Sequence, residues 1–195
     1  MTKPYLNCGV DEAGRGPWAG PVCAAAVILR ADAPIEGLTD SKKLTEKKRL
    51  ALEIEIQTRA FAWGLGWASP REIDQLNIRQ ATHLAWKRAV TAMGVLPSNI
   101  QIDGNDLPQG LPCEAKAIIG GDGLIAEISA ASILAKNARD RLMVELCARY
   151  PAYGFSKHKG YGVKAHAAAL QEVGPCEIHR MSFKPVALAA RSRAA

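Results

Sequence analysis

An apolar segment, Tyr5-Leu6-Asn7-Cys8-Gly9-Val10, runs straight into two adjacent carboxylates, Asp11 and Glu12, and then into Gly14-Arg15-Gly16-Pro17. A strand that buries its body and ends in two like charges needs something positive to face. The Gly- and Pro-rich stretch 14–21 turns the chain, and a second apolar run, Val22–Leu29, follows. Two strands joined in this way confine the fold to a sheet whose strand ends open on a polar cleft. Consecutive strand residues point to opposite faces. Asp11 and Glu12 therefore share one site only where the strand breaks, and Gly14 and Gly16 are placed to break it.

The rest of the chain extends that sheet. Phe61, Trp63, Leu65 and Trp67 alternate with Ala62, Gly64, Gly66 and Ala68, a period of two that predicts a third strand whose small face packs closely on a helix. Thr45 heads a helical segment, 46–60. Ser69-Pro70-Arg71-Glu72 is a capping box with Pro at the first helical position, opening a helix that ends near Met93 with Gly94 as its stop. Short strands are expected at 99–103 and 115–119, a long helix at 125–149 closed by Tyr150-Pro151, a helix at 163–173, and a last short one after Pro185. The expected fold is a mixed α/β sheet of five strands flanked by helices. Its one candidate boundary lies near Pro151, dividing residues 1–150 from a smaller basic piece, 151–195.

Of the 195 residues, 48% are hydrophobic and 23% charged, enough to build a core without disulfides or structural metal. The five cysteines are odd in number, scattered and without C-x-x-C spacing, which predicts reduced thiols in a cytoplasmic protein. No basic leader with an apolar core is read at the N-terminus, and no apolar run approaches the roughly 18 residues that span a bilayer. The net charge is +6, and from Ser156 onward seven basic residues stand against two acidic ones. That basic segment suggests a polyanionic partner, nucleic acid being the commonest, with a solvated tail as the alternative.

Four acids sit at the ends of predicted elements: Asp11 and Glu12 after strand one, Asp103 after strand four, and Asp122 within Gly120-Gly121-Asp122-Gly123. Carboxylates gathered at neighbouring strand ends are hard oxygen ligands suited to Mg²⁺ or Mn²⁺. Such a site can hold two ions about 3.5–4 Å apart, one activating water and one stabilising the leaving oxygen of a phosphodiester. Taken singly, Asp122 could instead cap a helix and Asp103-Gly104-Asn105 could be a turn. Gly14-Arg15-Gly16 offers approachable backbone groups beside a cation, for a sugar hydroxyl or a phosphate, or is simply a tight turn. Lys42 and Lys43, in Asp40-Ser41-Lys42-Lys43, are placed for phosphate or for solvent. Lys157-His158-Lys159-Gly160-Tyr161-Gly162 interleaves basic groups with an aromatic, a backbone-gripping pattern. His179-Arg180 reads as a phosphate contact or a packed turn. No G-x-S-x-G elbow supports a serine nucleophile.

Together these motifs resemble the bacterial type 2 ribonuclease H family, ribonuclease HII. The resemblance is carried by Gly9 to Pro17, Asp40 to Leu44, Ile102 to Asn105, Gly121-Asp122 leading into Ala130 to Lys136, Lys157 to Gly162, and His179-Arg180 with Ser182-Phe183. It implies a ribonuclease H-like fold with a small helical C-terminal extension. It implies metal-dependent cleavage of RNA in RNA–DNA hybrids and 5′ of single ribonucleotides in duplex DNA, leaving 3′-hydroxyl and 5′-phosphate ends. By that resemblance Asp11, Glu12, Asp103 and Asp122 are the metal-binding acids, Gly14-Arg15-Gly16 reads the ribose 2′-hydroxyl, and Tyr161 packs on the sugar at the junction. A monomer, with a replication clamp as partner, is also expected. A non-catalytic nucleic-acid-binding module is the alternative, although a binder gains nothing from acids beside phosphate.

Overall fold

The computed structural model describes residues 5–194. β1 (Asn7–Ala13), β2 (Val22–Ile28) and β3 (Ala62–Ala68) form an antiparallel meander, while β4 (Asn99–Asp103) and β5 (Ala115–Ile118) add on in parallel at the other side of β1. The sheet order is β3-β2-β1-β4-β5, the mixed five-stranded sheet that the sequence predicts. β1 does not stop at Val10, nor break at the carboxylates. It pairs with β2 through Glu12↔Ala24 and Ala13↔Cys23, in register to its last residue.

The helices lie on both faces. α1 (Glu46–Arg59) and α3 (Ala126–Arg149) cover one, and α2 (Pro70–Ala92) the other. Ser69 and Glu72 close the expected capping box at the start of α2. The small face of β3 lies against this helix: a Cβ at Gly66 would stand 2.1 Å from the Ala85 carbonyl oxygen, and one at Gly64 2.6 Å from that of Ala89. α2 is not the continuous helix expected. It kinks at Asn77, whose backbone leaves the helical region (φ 67°, ψ 165°) and whose side-chain oxygen accepts the Gln80 N–H to recap the second half.

α3 runs along the centre of the sheet, and Gly9 is what admits it. A Cβ there would lie 2.2 Å from the Glu127 backbone. Beyond Pro151 come α4 (Phe155–His158), one turn that the pattern does not predict, then α5 (Lys164–Val173) and α6 (Lys184–Ala194). Phe155, Leu170, Ile178 and Val186 from this segment bury themselves with Ala19 and Met143, so the segment closes over the turn that follows β1. Among the described residues no helix is long and apolar enough to cross a membrane.

Candidate active site

β1 and β4 run parallel and in register up to Val10↔Ile102, which places Asp11 and Asp103 side by side at the next step. Odd positions of β1 face α3 and even ones face α2, so Asp11 points to the α3 side. Asp122 reaches the same place from a single 3₁₀ turn, Gly121–Gly123, that follows β5. The Ser129 hydroxyl of α3 donates to its backbone carbonyl at 2.7 Å and fixes that turn. One carboxylate oxygen from each of Asp11, Asp103 and Asp122 lies within 4.8 Å of the others. Asp122 does not cap the following helix, whose N-cap is Ile125.

These acids crowd one another. Asp11 is buried, and burial first, then repulsion from Glu12 and Asp103, holds its carboxyl well above the usual range; a hydrogen bond from Ser132 opposes the rise. The Ser132 hydroxyl is itself paired with that of Ser41 at 2.9 Å. Burial, then Asp103 and Asp40, also raise Asp122, with Lys42 pulling the other way. Three clustered oxygen donors whose charges lack sufficient compensation fit a divalent cation.

Glu12 does not join this cluster. The strand continues through it, so it faces α2, where the Trp86 indole N–H donates to it at 3.0 Å and Arg15 approaches at 3.5 Å. Burial raises its pKa, Arg15 and Trp86 lower it, and Asp103 raises it again, so Glu12 still lies within the field of the cluster.

Gly14-Arg15-Gly16 follows directly, with Gly14 buried and at φ 99°, and with Arg15 and Gly16 exposed. Arg15, Trp86, Asp103 and Asn105 line a polar cavity of about 310 Å³. A larger cavity of about 510 Å³, by Tyr5, Arg30 and Phe61 at the opposite end of β1, holds none of the converging acids. The Tyr161 ring stands half exposed beside the loop, its Cε1 3.6 Å from where a Cβ on Gly16 would be. Lys42 and Lys43 lie exposed on a 3₁₀ turn, Ser41–Lys43, capped by Asp40. Burial pulls the Lys42 ammonium down, but Asp40, Asp11, Asp122 and Asp103 together outweigh that and leave it raised, so Lys42 borders the acids.

Sequence reasoning did not find Ser132, Ser41 or Trp86. Their signal was weak: a serine within an alanine-rich buried helix, and an indole needing an acceptor. Arg180 proves to be the packed-turn residue of the two alternatives, fully buried rather than turned to solvent.

A mixed sheet of this order, with acids at the ends of its two central strands and on the turn beyond, is the frame of a ribonuclease H-type nuclease. The ribonuclease HII family profile matches residues 8–186. The chain is 57% identical to ribonuclease HII of Hyphomonas neptunium, over 95% of this chain and 97% of that one. It is 59% identical to ribonuclease HII of Burkholderia cenocepacia, over 93% of this chain and 84% of that one. The ribonuclease H2 structure from Pyrococcus horikoshii superposes with a TM-score of 0.81 at 25% identity, covering 96% and 98% of the two chains. A structure from Archaeoglobus fulgidus, of a PCNA:RNase HII complex, gives 0.78 at 24% identity, covering 92% and 95%. The chain belongs to the ribonuclease HII family. It is an endoribonuclease with ribonuclease H activity, which sets aside the non-catalytic alternative.

Proposed function

We propose that this enzyme cuts the RNA strand of RNA–DNA hybrids and also cuts on the 5′ side of single ribonucleotides in duplex DNA, leaving 3′-hydroxyl and 5′-phosphate ends. What carries the reading is the adjacency of three converging carboxylates to the glycine loop that directly follows β1, the strand that carries Asp11. Asp11, Asp103 and Asp122 would hold divalent ions, Mg²⁺ or Mn²⁺, with Glu12 at their edge. The bound metal supplies charge neutralisation at the scissile phosphate and a water of lowered pKa. The chain's own residues do the selecting. Gly14-Arg15-Gly16 lies where a sugar edge can meet backbone donors, and only RNA offers a 2′-oxygen there. Tyr161 presents a flat face beside Gly16 for the ribose of the junction nucleotide. Lys42, at the border of the acids, and Lys43 take flanking phosphate oxygens. Water is the nucleophile, so the 2′-hydroxyl is read and not consumed.

In this reading residues 1–150 hold the acids, and residues 151–195 form a basic helical extension that brings Tyr161 to them. The enzyme acts as a cytoplasmic monomer. A replication clamp is kept as a partner, supported by the PCNA complex of the Archaeoglobus relative. The test is cleavage of a DNA duplex carrying one ribonucleotide, with Mg²⁺, with Mn²⁺ and with chelator. One metal-dependent cut 5′ of the ribonucleotide is expected. Cleavage confined to long hybrids would overturn the single-ribonucleotide reading.

A further inference from the structure

Two arginines, Arg139 on α3 and Arg180 ahead of α6, are buried almost completely, with 1% and 0% exposure. Their hydrogen bonds run to backbone carbonyls and not to carboxylates. Arg180 donates to the carbonyls of Gly14 (2.6 Å), Arg15 (2.8 Å) and Gly20 (2.9 Å). Arg139 donates to those of Pro21 (2.9 Å), Lys159 (3.1 Å) and Ala19 (3.2 Å). Two cations thus hold six carbonyls of the turn after β1 and of the loop before Tyr161. Gly14 has to be glycine for this packing, since a Cβ there would lie 1.9 Å from the Arg139 Nε.

The direction of those carbonyls decides the direction of the amides. In a trans peptide the C=O of one residue and the N–H of the next point opposite ways. With the Gly14 and Arg15 carbonyls drawn inward, the N–H groups of Arg15 and Gly16 point outward, and neither has an acceptor among the described residues. Two successive outward N–H groups form a concavity for an electron-rich oxygen. We infer that Arg180, backed by Arg139, is a positioning residue that sets the polarity of this loop and so presents the Arg15 and Gly16 amides as paired donors to the ribose 2′-oxygen. The inference rests on the proposed reading that this loop meets the ribonucleotide.

A plain anchor does not need this chemistry. Burying two neighbouring guanidiniums is costly: burial first, and then Arg139, pull the Arg180 guanidinium down to about 9. Apolar side chains of similar volume would fill the same space but leave the six carbonyls without donors. What they cannot do is orient three carbonyls at once, a task for the planar fork of arginine that lysine's single ammonium does not match.

The test is duplex binding in chelator, comparing a duplex with one ribonucleotide against the same sequence in all-DNA form. The wild-type enzyme is expected to prefer the ribonucleotide duplex. Arg180→Lys should cut that preference by about tenfold, or to none where it starts smaller, while all-DNA affinity stays within about twofold. An unchanged preference overturns the inference, even if activity falls. A wild-type enzyme without any preference overturns the reading of the loop, and the inference with it, whatever Arg180→Lys does. Should Arg180→Lys fail to fold, amide hydrogen exchange on the wild-type enzyme decides. Arg15 and Gly16 amides should exchange freely in the free protein and become protected by the ribonucleotide duplex but not by the all-DNA one. Protection in the free protein, or equal protection by both duplexes, overturns the inference.

Discussion

Replacing Asp11 by Asn should make the protein more stable and inactive at once. One Asp11 carboxylate oxygen lies within 4.8 Å of one from each of Asp103 and Asp122. Two full charges at that distance repel by roughly 3–4 kcal/mol at an effective dielectric near 20. Burial and the neighbouring acids already push the Asp11 carboxyl upward, toward its neutral form, which reduces the relief that Asn can bring. A net gain of about 2 kcal/mol remains, worth a Tm increase of about 4–8 °C in a chain of this size. The assay is thermal unfolding in chelator at neutral pH, beside a cleavage assay with Mg²⁺ or Mn²⁺. Cleavage should fall by about three orders of magnitude, as when one preorganised charge contact is lost, while duplex binding persists. The pH dependence has a definite sign. A carboxyl raised in the fold favours the protonated state, so its contribution is most favourable below the ordinary carboxylate value. It is lost as pH rises from there through the raised value. The stability advantage of Asp11→Asn should therefore grow with pH across the acid range. An Asn variant that melts below the wild type in chelator, or that keeps its activity, would refute the electrostatic reasoning.

Three further outcomes can be checked directly. Gly66→Ala drives a methyl into the backbone of α2, 2.1 Å from the Ala85 carbonyl oxygen, and should cost about 3 kcal/mol by denaturant unfolding while leaving the activity of the folded fraction intact. Tyr161→Ala should lower cleavage at a single ribonucleotide about tenfold more than on a long hybrid, the worth of one stacking contact; equal losses on both would remove the sugar-packing role. Burial first, and then His166 at 3.0 Å, lower His179 to about 4. Its neutral form is favoured by the fold, so that stability is present above the ordinary histidine value and lost as pH falls from about 6.5 toward 4. His179→Gln should flatten this part of the stability profile, and an unchanged acid limb would place the loss elsewhere.

The elements that could be read from the sequence were those set by local chemistry. Period-two alternation marked β3, and the Ser69–Glu72 capping box marked the start of α2 to the residue. The kink at Asn77 and the turn of α4 escaped because one left-handed residue, or four residues of helix, leave no periodic trace. The partners within the site escaped for a different reason. Trp86 meets Glu12 across 74 positions of sequence, and Arg180 meets Gly14 across 166.

By itself the sequence determined that carboxylates stand at the ends of apolar elements, that glycine and arginine follow the first pair, and that basic charge gathers beyond Ser156. Those are facts of residue type and spacing, and period and turn chemistry act over a few residues. Only the tertiary structure decided which carboxylates meet. The parallel register of β1 and β4 brings Asp103 beside Asp11, and strand alternation sends Glu12 to the other face. A one-residue change of register would have exchanged their roles without altering any local preference, because a strand's side chains alternate and its hydrogen bonds do not record which face is which.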